Sequence, residues 1–223
     1  MTDYYKKSLE ILAQILKSEQ YDHWANWMLE DIKLWETNKS VEHHLHAYGG
    51  MGSFNDVVIG GNDRAGIWES RLFGNFQTLA YSLAKGDTLE TILEGILHRP
   101  LTSEISGWRC RNCGDARIND RDIEFYIVNE FIPKFFVEYI RKDRFDEVVN
   151  IPKLIDSEEV TKKRESLKDL LKGANIALNL DTNWFWVCPK CGSSGVCAYR
   201  WNFLANEFKL VEGDDNLEIK KVK

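Results

Sequence analysis

The stretch Cys110-Arg-Asn-Cys113-Gly114 is repeated in pattern by Cys188-Pro-Lys-Cys191-Gly192, and these two stretches decide how the second half of the chain folds. A Cys-x-x-Cys pair presents two sulfurs to one metal ion, and the glycine after it lets the backbone fold back. Two such pairs supply the four thiolates of a closed tetrahedral site, which has no open position for a substrate. The sequence therefore predicts one structural Zn²⁺ whose ligands are Cys110, Cys113, Cys188 and Cys191.

Residues 114–187 separate the two cysteine pairs, so a single site must close a long loop. Loop closure of this length costs only a few kcal/mol, whereas a structural zinc ion contributes about 10–16 kcal/mol in small peptides. An intramolecular site is therefore expected. Two alternatives stay open: half-sites that bridge two chains, and a redox role for one Cys-x-x-Cys pair.

The composition is that of a globular protein, with 43% hydrophobic and 29% charged residues among 223. No run of 18 apolar residues is present, and the first residues lack the layout of a signal peptide. Four of the five cysteines fall in Cys-x-x-Cys pairs, which fits a bound metal in a reducing compartment. A cytoplasmic, non-membrane protein is expected.

The formal net charge of −6 is concentrated in the first part of the chain. Residues 1–100 contain 9 Lys and Arg against 14 Asp and Glu, a net of −5. An acidic domain is poorly suited to a phosphate backbone and better suited to a basic protein partner. The alternative is that this charge only keeps the domain soluble.

Residues 1–100 have apolar residues at helical spacing and are predicted to form a helical domain with a glycine-rich loop. One helix follows Asp3 as its N-cap, and a fifth is expected to begin at Asp87 with Glu90 completing a capping box. The second helix should run from Asp22 to Trp35 and the fourth from Asp63 to Lys85, with a short third helix around residues 41–48.

Residues 101–223 are predicted to form a zinc-ribbon-like β domain that carries a helical insert at about 119–180. The insert should contain helices over 121–142, where Pro133 would kink or divide the helix, and over 157–172. Strands are expected at 108–118 around the first cysteine pair and at 183–187, 196–204 and 207–211 around the second. The predicted fold class is α+β, a helical unit packed on a zinc-ribbon-like unit.

The decapeptide Ala-Tyr-Gly-Gly-Met-Gly-Ser-Phe-Asn-Asp at 47–56 follows a tryptophan-rich helix. In this respect the segment from about Leu9 to Lys85, with Trp24, Trp27 and Asp31, resembles a family of small bacterial proteins that share a domain of unknown function. The resemblance implies a common fold unit and a bacterial setting, and it implies no activity. The cysteine-bearing half lies outside it and instead resembles a split zinc ribbon.

The same decapeptide is a candidate ligand or partner loop. Its glycines, Gly49, Gly50 and Gly52, permit positive φ or close approach of a ligand. The polar groups of Ser53, Asn55 and Asp56 would be presented from one turn. The alternative is a helix end followed by a turn in which these side chains cap backbone amides. The loop has no Lys-Ser/Thr after its glycines and is not a P-loop.

Further candidates have ordinary structural alternatives. His43, His44 and His46 lack the spacing of a metal site and are expected at the surface or the edge of the core. Cys197 is expected to be a free, buried thiol. The tryptophans Trp184, Trp186 and Trp201 either form an exposed aromatic platform or fill the small core of the ribbon. No catalytic residue is identified.

The function predicted from the sequence is that of a non-enzymatic, zinc-stabilised cytoplasmic binding protein, such as an immunity or defence-system component with a basic protein partner. The candidate contacts are Glu30, Asp31, Glu36 and Glu42. A nucleic-acid-associated zinc-ribbon protein is the first alternative, because basic residues cluster near the cysteine pairs at Arg109, Arg111, Arg117, Arg121, Lys190 and Arg200. An enzyme that uses the Gly49–Asp56 loop is the second.

Overall fold

A computed structural model describes residues 2–100, 103–179 and 187–211. Its fold is α+β, as predicted, with helices in the N-terminal part and a sheet in the C-terminal part. The chain divides into two compact units. The first comprises residues 1–100 and 128–155, and the second comprises residues 101–127 and 156–223.

The first unit is helical. Its helices are α1 (Tyr4–Ser18), α2 (Asp22–Asn38), α3 (Glu42–His46), α4 (Arg64–Ala84), α5 (Leu89–Leu97), the part of α6 (Asp120–Arg141) from residue 128 onward, α7 (Phe145–Val148) and α8 (Ile151–Ile155). A 3-10 turn at Phe54–Asp56 lies between α3 and α4. The first four helices follow the sequence prediction to within a few residues, whereas α7 and α8 are too short to show a helical period.

Side-chain caps explain where these helices begin. The Asp3 carboxylate accepts the N–H of Lys6 at 3.1 Å, which satisfies one of the free donors of the first turn of α1, as predicted. The cap of α5 is Thr88, not Asp87, because the Thr88 hydroxyl accepts the N–H of Thr91. The predicted cap at Asp87 is therefore wrong by one residue, and Glu90 falls in the first turn without completing a capping box.

The core of the first unit lies between α1, α2 and α4. Leu9, Leu12 and Leu16 of α1 are fully buried, as are Met28 of α2 and Leu79 of α4. The three leucines recur three or four positions apart, so α1 buries one face and leaves the other in solvent.

Residues 128–155 belong to the first unit, whereas the sequence prediction assigned them to an insert of the second domain. Phe136 lies edge-on to Phe76 of α4 at 5.0 Å between ring centroids, and Phe135 stacks on Trp68 at 6.5 Å. The helix α6 continues through Pro133 without being divided. The aromatic residues of α6 pack on α4, so this part of α6 belongs to the first unit, although residues 101–127 before it belong to the second.

The described strands of the second unit are β1 (Glu104–Cys110), β2 (Ala116–Asn119), β3 (Ile176–Asn179), β4 (Val196–Asn202) and β5 (Lys209–Val211). They form one sheet in the order β3-β2-β1-β4-β5. The neighbours pair antiparallel, except for β2 and β3, which are parallel. Parallel strands cannot be joined by a tight turn, so residues 120–175 intervene, and the last helix among them is α9 (Glu158–Gly173).

The predicted strand–turn–strand at 108–118 and the strands at 196–204 and 207–211 are confirmed in position. The expected strand at 183–187 lies almost wholly outside the described residues, as do Trp184 and Trp186. Strand β3 was not predicted because its four residues, Ile-Ala-Leu-Asn, are too few to show an alternating apolar pattern.

Trp201 fills the core of the sheet, in line with the structural alternative. It is 5% exposed and stacks on Phe208 at 4.7 Å. Its indole lies over Gly107 of the neighbouring strand, where a Cβ atom would overlap the ring. Glycine is required at this position because the tryptophan occupies the space of a side chain.

Within the part of the chain that the structure describes, every helix falls short of the length and apolar content needed to cross a membrane.

Candidate metal centre

The four predicted cysteine ligands come together at one end of the sheet. Their sulfur atoms all lie within 4.8 Å of one another, with Cys110 to Cys191 at 3.7 Å and Cys113 to Cys188 at 3.6 Å. Four sulfurs placed tetrahedrally at about 2.3 Å from a zinc ion would be roughly 3.8 Å apart. The cluster can therefore hold a metal ion, and its dimensions are consistent with zinc.

The backbone around the two cysteine pairs follows the same course twice. In each, the N–H of the first cysteine donates to the carbonyl oxygen five residues later at 2.8 Å, and the glycine N–H donates back to the first cysteine's carbonyl oxygen at 2.8–2.9 Å. The glycines have positive φ, 74° at Gly114 and 69° at Gly192. This conformation favours glycine and gives the sequence pattern its physical reason.

Contacts between the two cysteine turns hold them together. The Arg111 N–H donates to the carbonyl of Gly195 at 2.8 Å, and the Asn112 amide donates to the sulfur of Cys191 at 3.5 Å. Val196 is buried with Cys110 and Cys188, which are each 1% exposed. The site is thus built from both ends of the intervening chain and closed by backbone, amide and apolar contacts.

The protein environment shifts the pKa values of two of the four thiols in opposite directions. Hydrogen bonds from the Asn112 side chain and the Ser193 backbone lower the pKa of Cys191 to about 6. The pKa of Cys113 is raised to about 12: a backbone hydrogen bond at Asp115 favours the thiolate, but desolvation and the neighbouring sulfurs outweigh it. A bound cation offsets the repulsion between neighbouring thiolates, so all four sulfurs can carry negative charge together.

The fifth cysteine, Cys197, lies outside the cluster. It is half-buried in β4 and pairs in register with Arg109 of β1. The sequence predicted a free, buried thiol for this residue; the thiol is free, but it is only partly buried.

Two of the basic residues near the cysteines form ion pairs with acidic ones. Arg117 forms an ion pair with Asp115 at 2.8 Å, and Arg200 forms one with Glu104 at 3.6 Å. These acidic partners reduce the positive potential that a phosphate backbone would meet. The nucleic-acid alternative gains no support from this arrangement.

The 47–56 segment is a tight loop in the structure. Helix α3 ends at His46, and the Phe54 N–H then closes the loop on the carbonyl of Ala47 at 2.8 Å. Its glycines all have positive φ: 101° at Gly49, 88° at Gly50 and 80° at Gly52.

Inside the loop, the Asp56 carboxylate accepts the N–H groups of Gly52 and Ser53, at 2.6 and 3.2 Å. Asp56 therefore caps the backbone, as the structural alternative expects, whereas Asn55 remains exposed. Of the three polar residues predicted to face a ligand, Asp56 instead accepts backbone N–H groups within the loop.

A buried carboxylate next to this loop was not recognised from the sequence. Asp31 is 1% exposed, and its two oxygens lie 2.5 Å from Nδ1 of His43 and 2.9 Å from Nδ1 of His44. The prediction that Asp31 is an exposed partner contact is wrong. Its spacing from Ala25 and Met28, which are buried on the same side of α2, is the sequence signal that places it inside.

Two of the three histidines, His43 at the edge of the core and His46 at the surface, lie where the sequence predicted them, and His44 does not. His46 is exposed, His44 is fully buried, and His43 stacks on Trp27 at 4.2 Å between ring centroids. Within the described ranges, the four cysteines are the group whose ligand atoms converge on one point, and the histidines do not join them.

The segment that holds this histidine–aspartate cluster and the loop also carries the likeness to known sequences. Residues 17–67 match the model of a family described as Domain of unknown function (DUF6966). That likeness covers 51 of 223 residues and leaves out the cysteine turns, as the resemblance noted above implied. No curated protein and no solved structure matches the chain.

Proposed function

We propose that the protein is a zinc-stabilised binding protein whose metal centre is structural. The observation that supports this most is the closed cluster of four sulfurs, each within 4.8 Å of the others. Four thiolates complete the tetrahedral coordination of zinc, so no position is left for a water or a substrate. The metal would contribute to folding rather than to a reaction.

Zinc analysis of the purified protein tests the metal assignment. We expect one zinc per chain, lost in Cys188→Ser, because three thiolates no longer close the site. Cys197→Ser is the matched control: it removes a cysteine from the same sheet but outside the cluster, and zinc content should not change. Wild-type protein without zinc, or Cys188→Ser with full zinc content, would contradict the assignment.

For the binding role, we propose a basic protein partner that docks on the first unit, of the kind that an immunity protein neutralises in the cytoplasm. Residues 1–100 carry the net charge of −5 counted from the sequence. The corrected set of acidic contacts is Glu30, Glu36 and Glu42, which are all exposed. Complementary charge of this type speeds association more than it tightens binding.

Exposed apolar side chains add a reason to place a partner at the same unit. Met51, at the tip of the glycine-rich loop, is fully exposed, and Val58 is 74% exposed. The Tyr21 hydroxyl donates to the carbonyl of Val58 at 2.7 Å and fixes the chain there. Methionine is enriched at protein interfaces relative to the rest of a protein surface, which makes Met51 the better candidate contact of the two.

Binding to the basic product of a neighbouring gene, measured by surface plasmon resonance, tests this proposal. We expect the association rate to fall as salt rises to physiological strength, because exposed charges are then screened. Met51→Ser should speed dissociation, whereas Leu204→Ser, a change at another exposed apolar residue in the second unit, should not. An association rate that salt leaves unchanged would refute the charge argument.

A further inference from the structure

The four cysteines of the candidate metal centre differ in their exposure to solvent. Cys110 and Cys188, the first cysteines of the two turns, are each 1% exposed. Cys113 and Cys191 are the second cysteines and hold equivalent positions, yet Cys113 is half-buried whereas Cys191 is exposed. A structural metal ion requires all four sulfurs, but it does not require that one of them be open to solvent.

The packing around the two turns accounts for this difference. Cys113 packs against the buried residues of the cluster, which are Cys110, Cys188 and Val196. Cys191 lies instead in a run of exposed residues, 189–192. It is therefore the member of the cluster that a small molecule dissolved in the surrounding water reaches most readily.

A protected sulfur lies next to this exposed one. The sulfur of Cys110 is 3.7 Å from the sulfur of Cys191, across the gap between the two turns. The Asn112 amide donates to the Cys191 sulfur at 3.5 Å and holds it beside the first turn. An accessible sulfur with a second sulfur poised beside it is the arrangement found in redox-sensing cysteines.

We propose that the metal centre is a redox-sensitive switch, which hydrogen peroxide opens at Cys191. The inference rests on the proposed zinc site, because a sulfur held by a cation keeps the thiolate form that attacks an oxidant. Under reducing conditions the four thiolates keep the site closed. Oxidation removes two of them and links the state of the second unit to the redox conditions around the protein.

The reaction consumes one molecule of peroxide in two steps. The Cys191 thiolate attacks a peroxide oxygen, the O–O bond breaks, and the departing hydroxide takes up a proton to form water, which leaves a sulfenic acid on Cys191. The Cys110 thiolate then attacks the Cys191 sulfur, so the S–S bond forms while the S–O bond breaks. The second hydroxide also becomes water on protonation. Two thiolates are thus oxidised to a disulfide, and peroxide is reduced to two water molecules.

The thiolates of Cys113 and Cys188 remain after this reaction. Two ligands are too few to close a tetrahedral site, so the metal is released and the second unit loses the stabilisation that binding provides. A reductant that splits the disulfide restores all four thiolates, which makes the change reversible.

Zinc release by peroxide, followed with a chromophoric chelator, tests which sulfur is attacked. Cys191→His replaces the exposed sulfur with another zinc ligand, and Cys113→His makes the same change at the equivalent position of the first turn. We expect zinc release from Cys191→His to be at least about tenfold slower than from Cys113→His, because exposure governs the oxidation of a thiolate. A wild type without zinc would overturn the proposed function and this inference with it, whereas equal release rates would overturn this inference alone.

Peptide mapping of the oxidised wild type tests the same proposal without any substitution in the cluster. We expect peroxide below one equivalent to produce a disulfide between Cys110 and Cys191 together with loss of zinc, and a phosphine reductant with added zinc to restore the loaded protein. Cys197→Ser is the control, because its thiol lies outside the cluster, and it should react as the wild type does. A first disulfide without Cys191, or zinc loss that the reductant does not reverse, would overturn the proposal.

Discussion

At the residue scale, the second unit contains a buried ion pair that was not predicted from the sequence. Arg164 of α9 and Glu124 of α6 each have side chains only 8% exposed. The guanidinium donates to both carboxylate oxygens, at 2.9 and 3.2 Å. This fork geometry matches the two groups and partly offsets the loss of hydration that burial imposes on both charges.

Breaking this pair from one side should destabilise the second unit strongly. Arg164→Met leaves the Glu124 carboxylate buried beside an apolar side chain, and we expect a loss of about 3–5 kcal/mol of unfolding free energy, measured by urea denaturation.

The double variant Glu124→Gln/Arg164→Met removes both charges and should recover part of that loss. A single variant as stable as the wild type would show that the pair is not buried in solution. A double variant less stable than the single one would show that the remaining charge is not the cause.

At the scale of elements, the loop between α3 and the 3-10 turn at Phe54–Asp56 is shaped by its backbone more than by its contacts. Positive φ at three glycines reverses the chain, and Cβ atoms at these glycines would meet no neighbour within 4 Å. Phe54, fully buried, packs on Trp24 at 5.1 Å and anchors the end of the loop. The tip of the loop displays Met51 to solvent.

Alanine at Gly50 should therefore cost stability through conformation alone. Its φ of 88° is unfavourable for a residue with a Cβ atom, and we expect Gly50→Ala to lower the unfolding free energy by about 1 kcal/mol. Thermal unfolding followed by circular dichroism measures the change.

Gly95→Ala provides the comparison, because this glycine has neither a positive φ nor a neighbour in the way. Alanine there should leave stability unchanged or raise it by up to about 1 kcal/mol. Equal effects of the two substitutions would argue against the loop conformation described above.

At the scale of the whole molecule, the two units differ in what stabilises them. The first buries leucines and aromatic rings between helices. The second combines short strands with α9, and four sulfurs lie at one end of its sheet. A metal ion bound there would stabilise only the folded form, so the stability of the second unit should depend on metal concentration and on pH.

Acid should release the metal. Zinc binds thiolates, and the metal-free cluster binds more protons than the loaded one, so the metal-free form gains as pH falls. With the pKa of Cys113 raised to about 12, at least one proton must leave on binding at neutral pH, and affinity should fall about tenfold or more per pH unit below 7.

Competition with a chromophoric chelator between pH 7 and pH 5 measures this affinity. The Cys197→Ser variant should show the same pH dependence as the wild type, since its thiol is not part of the cluster. A zinc affinity that does not change with pH would contradict the tetrathiolate assignment.

What the sequence determined by itself is local. The two Cys-x-x-Cys-Gly turns, the α1 cap at Asp3 and the glycine loop each follow from a few neighbouring residues whose conformation is limited by sterics and hydrogen bonding. The four cysteines of the candidate metal centre were predicted for the same reason, since both halves of the cluster have the same short pattern.

Only the tertiary structure decided which distant groups meet. It buried Asp31 against two histidines, paired Glu124 with Arg164 and placed residues 128–155 in the first unit. Each of these outcomes depends on which distant segment packs against an apolar face, and no local sequence pattern specifies that segment. A polar residue among apolar ones, such as Asp31, is therefore predicted from the sequence to lie at the surface, and only the packing shows that it is buried beside a hydrogen-bond partner.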